Sequence, residues 1–177
     1  MSLKINKSIV LIGIMGAGKT SIGKRLAKKL QTPFVDIDNQ IEGKEGRSVS
    51  RIFEEDGEDK FRALEKEQIE VVIRGGTHVI ATGGGAFINE DIRRIIKENT
   101  ISIWLNAPLD ILVERVSRKK TRPLLEKGDK REIMQNLMRE RCPIYEQADI
   151  MVESTVGPHY IVVEKIIEKL REYDKGK

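Results

Sequence analysis

The chain has 177 residues, a length that one hydrophobic core can serve, so a single domain spanning 1–177 is expected and a multidomain assembly is not. Hydrophobic residues at 39% and charged residues at 34% exclude a disordered chain, and 32 basic against 28 acidic side chains leave a net charge of +4, a mild excess that suits small anionic ligands and does not imply nucleic acid. The single cysteine, Cys142, excludes an intrachain disulfide; without a secretory segment or an apolar run of ~18 residues, a cytoplasmic protein with no membrane partner is expected, and the polar opening "MSLKINKS" is given no role.

In chain order, short apolar runs rich in β-branched residues alternate with longer segments of helical period, the pattern of repeated βαβ units. The strands are expected at Ser8 to Gly13, Pro33 to Ile37, His78 to Gly83, Thr100 to Asn106 and Asp149 to Ser154. Most are apolar on consecutive residues, which suits strands covered on both faces in a parallel sheet. A helix from about Lys19 to Leu30 carries Ile22, Leu26 and Leu30 on one stripe, with its glycine and lysines facing out. A second, from about Glu58 to Arg74, stops at Gly75-Gly76, where glycine accepts a left-handed cap. Pro108 reads as the first residue of a helix with Ile111, Leu112 and Val116. The segment Ser117 to Glu132, with seven basic residues and no apolar stripe, reads as a mobile excursion. A long helix runs to about Gln147, interrupted by Pro143, and a final amphipathic helix closes the sheet.

"GIMGAGKT", Gly13 to Thr20, matches G-x-x-x-x-G-K-[ST] between an apolar strand and an amphipathic helix. Such a loop turns successive N–H groups into one concavity at a positive helix end, and Lys19 adds a compact cation for the β and γ phosphates. The ligand is a nucleoside triphosphate. No guanine-reading N-K-x-D segment occurs, and the strand "HVIATGGG" carries no Walker-B acid, so water is a poor candidate for phosphoryl acceptor. Gly83, Gly84 and Gly85 end that strand, where ligands of open α/β sheets sit and bare backbone lets a small molecule approach; an ordinary tight turn is the alternative. Arg62, beside Phe61 and Leu64, and Arg141, near Pro143, each have the planar fork that grips a carboxylate, although either alone also fits a solvated surface.

The blocks "GIMGAGKTSIGKRLA", "FVDIDNQIE", "IFEEDGEDKFRALE", "ATGGGAF", "TRPLL" and "RCPIYEQAD" follow the order and approximate spacing of the shikimate kinases, and the chain resembles that family from about residue 8 to residue 170. The resemblance implies a three-layer α/β P-loop kinase fold, similar to the nucleoside monophosphate kinases. Its five-stranded parallel sheet has the order 2-3-1-4-5, with a lid at about 117–130 and a substrate-binding region at about 38–65. It implies ATP-dependent phosphorylation of the 3-hydroxyl of shikimate, with Mg²⁺. Gly13, Met15, Gly16, Ala17, Gly18, Lys19, Thr20 and Ser21 would hold the ATP phosphates, with Thr20 on the metal. Asp38, Arg62, Gly83, Gly84, Gly85 and Arg141 would hold shikimate. Arg122 would close on the transferring phosphoryl group, and Arg115 and Pro158 would border the adenine. Lys19, Asp38 and Arg122 are the expected catalytic residues.

Asp36 and Asp38, two apart on the expected strand, would share one face and reach the same cleft. Their division of labour is expected to be Asp36 on the Mg²⁺ water shell and Asp38 on the acceptor hydroxyl. Another small-molecule kinase of this fold, for gluconate or a nucleoside monophosphate, and a noncatalytic nucleotide sensor are the competing readings. His78 and His159 stand in no metal-like cluster, Cys142 reads as a packing residue and Trp104 as core. No partner chain is demanded, and a monomer is expected.

Overall fold

Five strands form one parallel sheet in the order β2-β3-β1-β4-β5, in a computed structural model that describes residues 5–118 and 128–176. This is the expected order. β1 (Ile9–Ile12) lies between β3 (Val79–Ala81) and β4 (Ile101–Asn106), while β2 (Phe34–Asp36) and β5 (Ile150–Glu153) are the edges. Every residue of β1 and β3 is buried, the consequence of helices on both faces. β5 instead alternates, with Ile150 and Val152 buried and Met151 and Glu153 exposed, as an edge strand with one wet side does.

α1 (Lys19–Leu30) buries Ile22, Leu26 and Leu30 as their spacing predicts. Its Gly23, expected to face out, is buried instead: a methyl there would sit 2.5 Å from Phe34 Cε2 and 3.2 Å from Leu11 Cδ1, so the ring of β2 occupies the space a side chain would need.

The strand expected to reach Ile37 ends at Asp36, and the chain turns at once into α2 (Ile37–Glu45). The Asp36 carboxylate accepts the Asn39 N–H at 3.3 Å, and this cap starts the helix. α3 (Val49–Arg74) is broken at Gly57 (φ 83, ψ 173), a conformation costly for any residue with a Cβ, and the part beyond the break is the helix expected from Glu58. At its end Gly75 stays right-handed and Gly76 takes the positive φ of 123°. Arg47 spans the junction between α2 and α3, pairing with Glu45 at 3.1 Å, Glu55 at 2.7 Å and Asp56 at 2.6 Å.

A 3-10 turn at Ala86–Ile88 leads to α4 (Glu90–Asn99), capped by Asn89 accepting from the Ile92 N–H at 3.1 Å. α5 (Leu109–Ser117) begins one residue after Pro108. α6 (Lys130–Tyr145) takes in the last residues of the expected excursion and contains Pro143; α7 (His159–Lys175) closes the sheet against α1 and β5. The expected lid falls mostly outside the described residues, and Arg122 wholly so.

Candidate active site

β1 delivers the chain into the loop Gly13 to Gly18 and then α1. Gly18, the residue before the helix, is left-handed (φ 96, ψ 18) and offers no side chain to the first turn, and no acidic residue stands in that turn. The first N–H groups of α1 therefore keep their positive end for an outside anion. Lys19 Nζ donates to the carbonyls of Gly13 at 2.6 Å and Ile14 at 3.1 Å, folded over the loop that it would serve. Ala17 N–H closes the turn on Ile14 O at 3.1 Å, Met15 is half-buried with its N–H toward Gly84, and Ser21 is exposed.

Thr20 Oγ1 donates to Asp36 Oδ2 at 2.7 Å. Two hard oxygens thus meet at the mouth of the phosphate cradle. Mg²⁺ is commonly held by one or two protein oxygens with waters and phosphates completing its shell, so this donor set fits the ion. It does not form a protein cage: among the described residues no group of three or more His, Cys, Asp or Glu side chains gathers to hold a metal.

The expectation that Asp36 and Asp38 share a strand face is corrected by the cap at Asp36. Asp38 stands in the first turn of α2, where a step of two residues turns the side chain by about 200° rather than returning it to the same face. Asp36 faces Thr20, whereas Asp38 faces Gly83. Both still border one cleft.

The glycine triplet is the floor of that cleft. A methyl on Gly83 would lie 3.1 Å from both Asp38 Oδ1 and Glu65 Oε1, one on Gly84 3.2 Å from Arg141 Nη1, and one on Gly85 2.1 Å from Arg62 Nη2. Three candidate side chains from α2, α3 and α6 thus rest on three consecutive bare α-carbons. Arg62 is held by Glu65 Oε2 at 2.5 Å and lies against Phe61 and Phe53, 5.3 Å and 5.9 Å from their ring centroids.

Glu65 is the residue that sequence reasoning missed. It is fully buried, and its Oε1, like Asp38 Oδ1, has no hydrogen-bond partner among the described residues. Burial pushes its carboxyl up to about 7, with the Arg62 guanidinium opposing the shift; burial and the neighbouring Asp36 push Asp38 up to about 6 against Lys19. A signal existed: Glu65 interrupts the apolar stripe of Phe61, Leu64, Ile69 and Val72, and it stands three residues after Arg62, in reach along a helix.

On the other side of the cradle, Arg115 Nη1 donates to Gly16 O at 3.1 Å, Ala17 O at 3.3 Å and Ser154 Oγ at 3.2 Å, and its Nη2 to Thr155 O at 3.3 Å. The arginine joins the phosphate loop to the segment that leads to Pro158, the exposed residue capping α7.

A family model described as shikimate kinase matches residues 15–171, nearly the whole of this frame. The chain belongs to the shikimate kinase family. The shikimate kinase of Caulobacter vibrioides strain NA1000 / CB15N is 45% identical over 166 residues, covering 94% of this chain and 83% of that protein. The shikimate kinase of Rhizobium meliloti strain 1021 is 44% identical over 170 residues, covering 96% and 88%. A solved shikimate kinase from Acinetobacter baumannii, in complex with shikimate, superposes with a TM-score of 0.90 at 33% identity, covering 96% of this chain and 95% of that one.

Proposed function

We propose that this enzyme transfers the terminal phosphoryl group of ATP to the 3-hydroxyl of shikimate, giving shikimate 3-phosphate and ADP in aromatic amino-acid (chorismate) biosynthesis. Membership of the family supports the reaction. The observation that carries its mechanism is the seating of Asp38, Arg141 and Arg62 on Gly83, Gly84 and Gly85, a carboxylate and two cationic forks around one small floor.

In this reading the loop and first turn formed by Gly13, Met15, Gly16, Ala17, Gly18, Thr20 and Ser21, with Lys19, cradle the phosphates, the Ala17 N–H closing the turn on Ile14 O. Thr20 and Asp36 would hold Mg²⁺, which when bound would supply charge to neutralise phosphate oxygens, Asp36 acting through the water shell. Arg62 and Arg141 take the shikimate carboxylate by paired N–H donation. Asp38 orients the acceptor hydroxyl and receives its proton; with its carboxyl near 6, it is ionised at neutral pH and more basic than an ordinary aspartate. Arg122, assigned by family resemblance, stabilises the transferring group, while Arg115 and Pro158 border the adenine. Positioning and charge stabilisation suffice for a loose phosphoryl-transfer transition state. A monomeric, cytoplasmic enzyme with small-molecule partners and no nucleic-acid or membrane partner completes the reading and rests on composition.

A coupled assay of ADP release with shikimate, gluconate, AMP and water as separate acceptors tests it. Turnover is expected with shikimate, and Asp36→Asn is expected to raise the Mg²⁺ requirement more than Asp38→Asn does. Turnover with gluconate or AMP and none with shikimate would overturn the assignment.

A further inference from the structure

Tyr145 ends α6 one helical turn after Arg141, and it is fully buried although it carries a hydroxyl. Its Oη donates to the carbonyl of Gly84 at 2.5 Å, across 61 residues of sequence. The Arg141 guanidinium faces the same phenol electrostatically, and its Nη1 lies 3.2 Å from where a methyl on Gly84 would stand. Two distant segments therefore meet at Gly84: its carbonyl accepts from the Tyr145 phenol, and the Arg141 guanidinium lies over its bare α-carbon.

The hydroxyl sits at the end of a ring that cannot wander. Tyr145 packs in the core beside Trp104 of β4, with ring centroids 6.0 Å apart at 40°. A planar ring with two rotatable bonds, gripped in this way, sets the position of its oxygen almost as firmly as backbone does. The direction of the bonds is fixed as well. Burial pushes the phenol up to about 12 against the nearby Arg141, so the hydroxyl keeps its proton at neutral pH, and that proton is committed to Gly84. Only the lone pairs of the phenol are left to face the Arg141 guanidinium.

We infer that Tyr145 is a positioning residue for the acceptor, its hydroxyl locking Arg141 and the Gly84 backbone into one carboxylate-receiving unit. The inference rests on the reading of Arg141 as a shikimate-carboxylate group. It goes beyond that reading by making the floor and the arginine one object, joined through the core rather than through the substrate. Without the hydroxyl, the Gly84 carbonyl loses its partner in a partly buried place, and the floor against which Arg141 rests is no longer held.

Tyr145→Phe isolates the hydroxyl, because the ring and its packing on Trp104 are retained. Steady-state kinetics are expected to show the KM for shikimate raised roughly tenfold, the size of one lost buried hydrogen bond, with kcat within about threefold and the KM for ATP unchanged on the same scale. Combined with Arg141→Met, the second substitution is expected to add little to the first, since both remove the same unit. Equal effects on the KM values of both substrates would mark a general packing role and overturn the inference, as would full additivity in the double variant or an unchanged shikimate KM. If the parent enzyme itself failed to phosphorylate shikimate, the function would fall rather than the positioning role, so the two failures are separable.

Discussion

Glu65 shows what a single buried carboxyl does to the whole. It lies in α3 with no exposed surface, faced by Arg62 and Glu58 from its own helix and by Asp38 from α2. Its carboxyl is pushed up to about 7, whereas in an unfolded chain it titrates near the ordinary value of about 4.3. The folded chain therefore binds this proton more tightly than the unfolded one. The resulting stability is complete below the unfolded value and is lost as pH rises through about 7. Asp38, shifted in the same direction, adds to the slope. Thermal midpoints of the ligand-free enzyme between pH 5 and pH 8 should fall as pH rises, and Glu65→Gln should flatten that fall. An undiminished slope in Glu65→Gln would place the titrating group elsewhere. Lys19 and Thr20 were legible as candidates because their motif fixes residue types within eight positions. Tyr145 was not, because its partner lies across the fold: nothing local in "RCPIYEQAD" says that the tyrosine hydroxyl meets a glycine carbonyl 61 residues away. Glu65 had a local signal in Arg62 three residues before it, but its burial beside Gly83 and Asp38 comes from distant segments.

Elements were legible to the degree that packing made them apolar in a regular period. β1 and α1 announce themselves because every β1 residue and a full stripe of α1 are buried. α2 does not: only Ile37 and Ile41 of its nine residues are buried, too few to establish a helical period, and the apolar run before it absorbs Ile37 into a strand. Two helical glycines separate the competing effects of backbone and packing. Alanine in a helix is favoured over glycine by roughly 1 kcal/mol wherever there is room. At exposed Gly43 of α2 an added methyl meets nothing within 4 Å, so Gly43→Ala should raise the thermal midpoint by a few degrees. At Gly23 of α1 the same methyl falls 2.5 Å from the Phe34 ring, and overpacking of that kind commonly costs about 1–3 kcal/mol, enough to outweigh the helix preference. Gly23→Ala should lower the midpoint, by roughly 2–4 °C per kcal/mol for a chain of this size. Calorimetry of both variants checks the pair; a Gly23→Ala variant as stable as Gly43→Ala would show that α1 does not press on β2 as described.

At the scale of the molecule, the residues alone suggested parallel strands, while their order came with the family resemblance, because apolar runs do not state which neighbour each strand takes. That order brings the two ligand halves of the cleft onto different elements. In the proposed reading the triphosphate side would use the loop after β1, α5 and the segment after β5, and the acceptor side α2, α3, the end of β3 and α6. A ligand that binds only the folded chain stabilises it by about 2.7 kcal/mol at a hundredfold excess over its dissociation constant, which for this size is a rise of roughly 5–10 °C. Each substrate should therefore raise the thermal midpoint of the enzyme by itself. Arg115 bridges the phosphate loop and the segment before Pro158, alongside the Ser154 hydroxyl, which donates to Ala17 O at 3.0 Å, and none of these bonds reaches the glycine floor. Arg115→Ala should shrink the rise given by ATP with Mg²⁺ while leaving the rise given by shikimate, each measured against the variant's own ligand-free midpoint. Loss of both rises in equal measure would mean that Arg115 holds the fold rather than the nucleotide side, and would remove the argument for placing the adenine beside it.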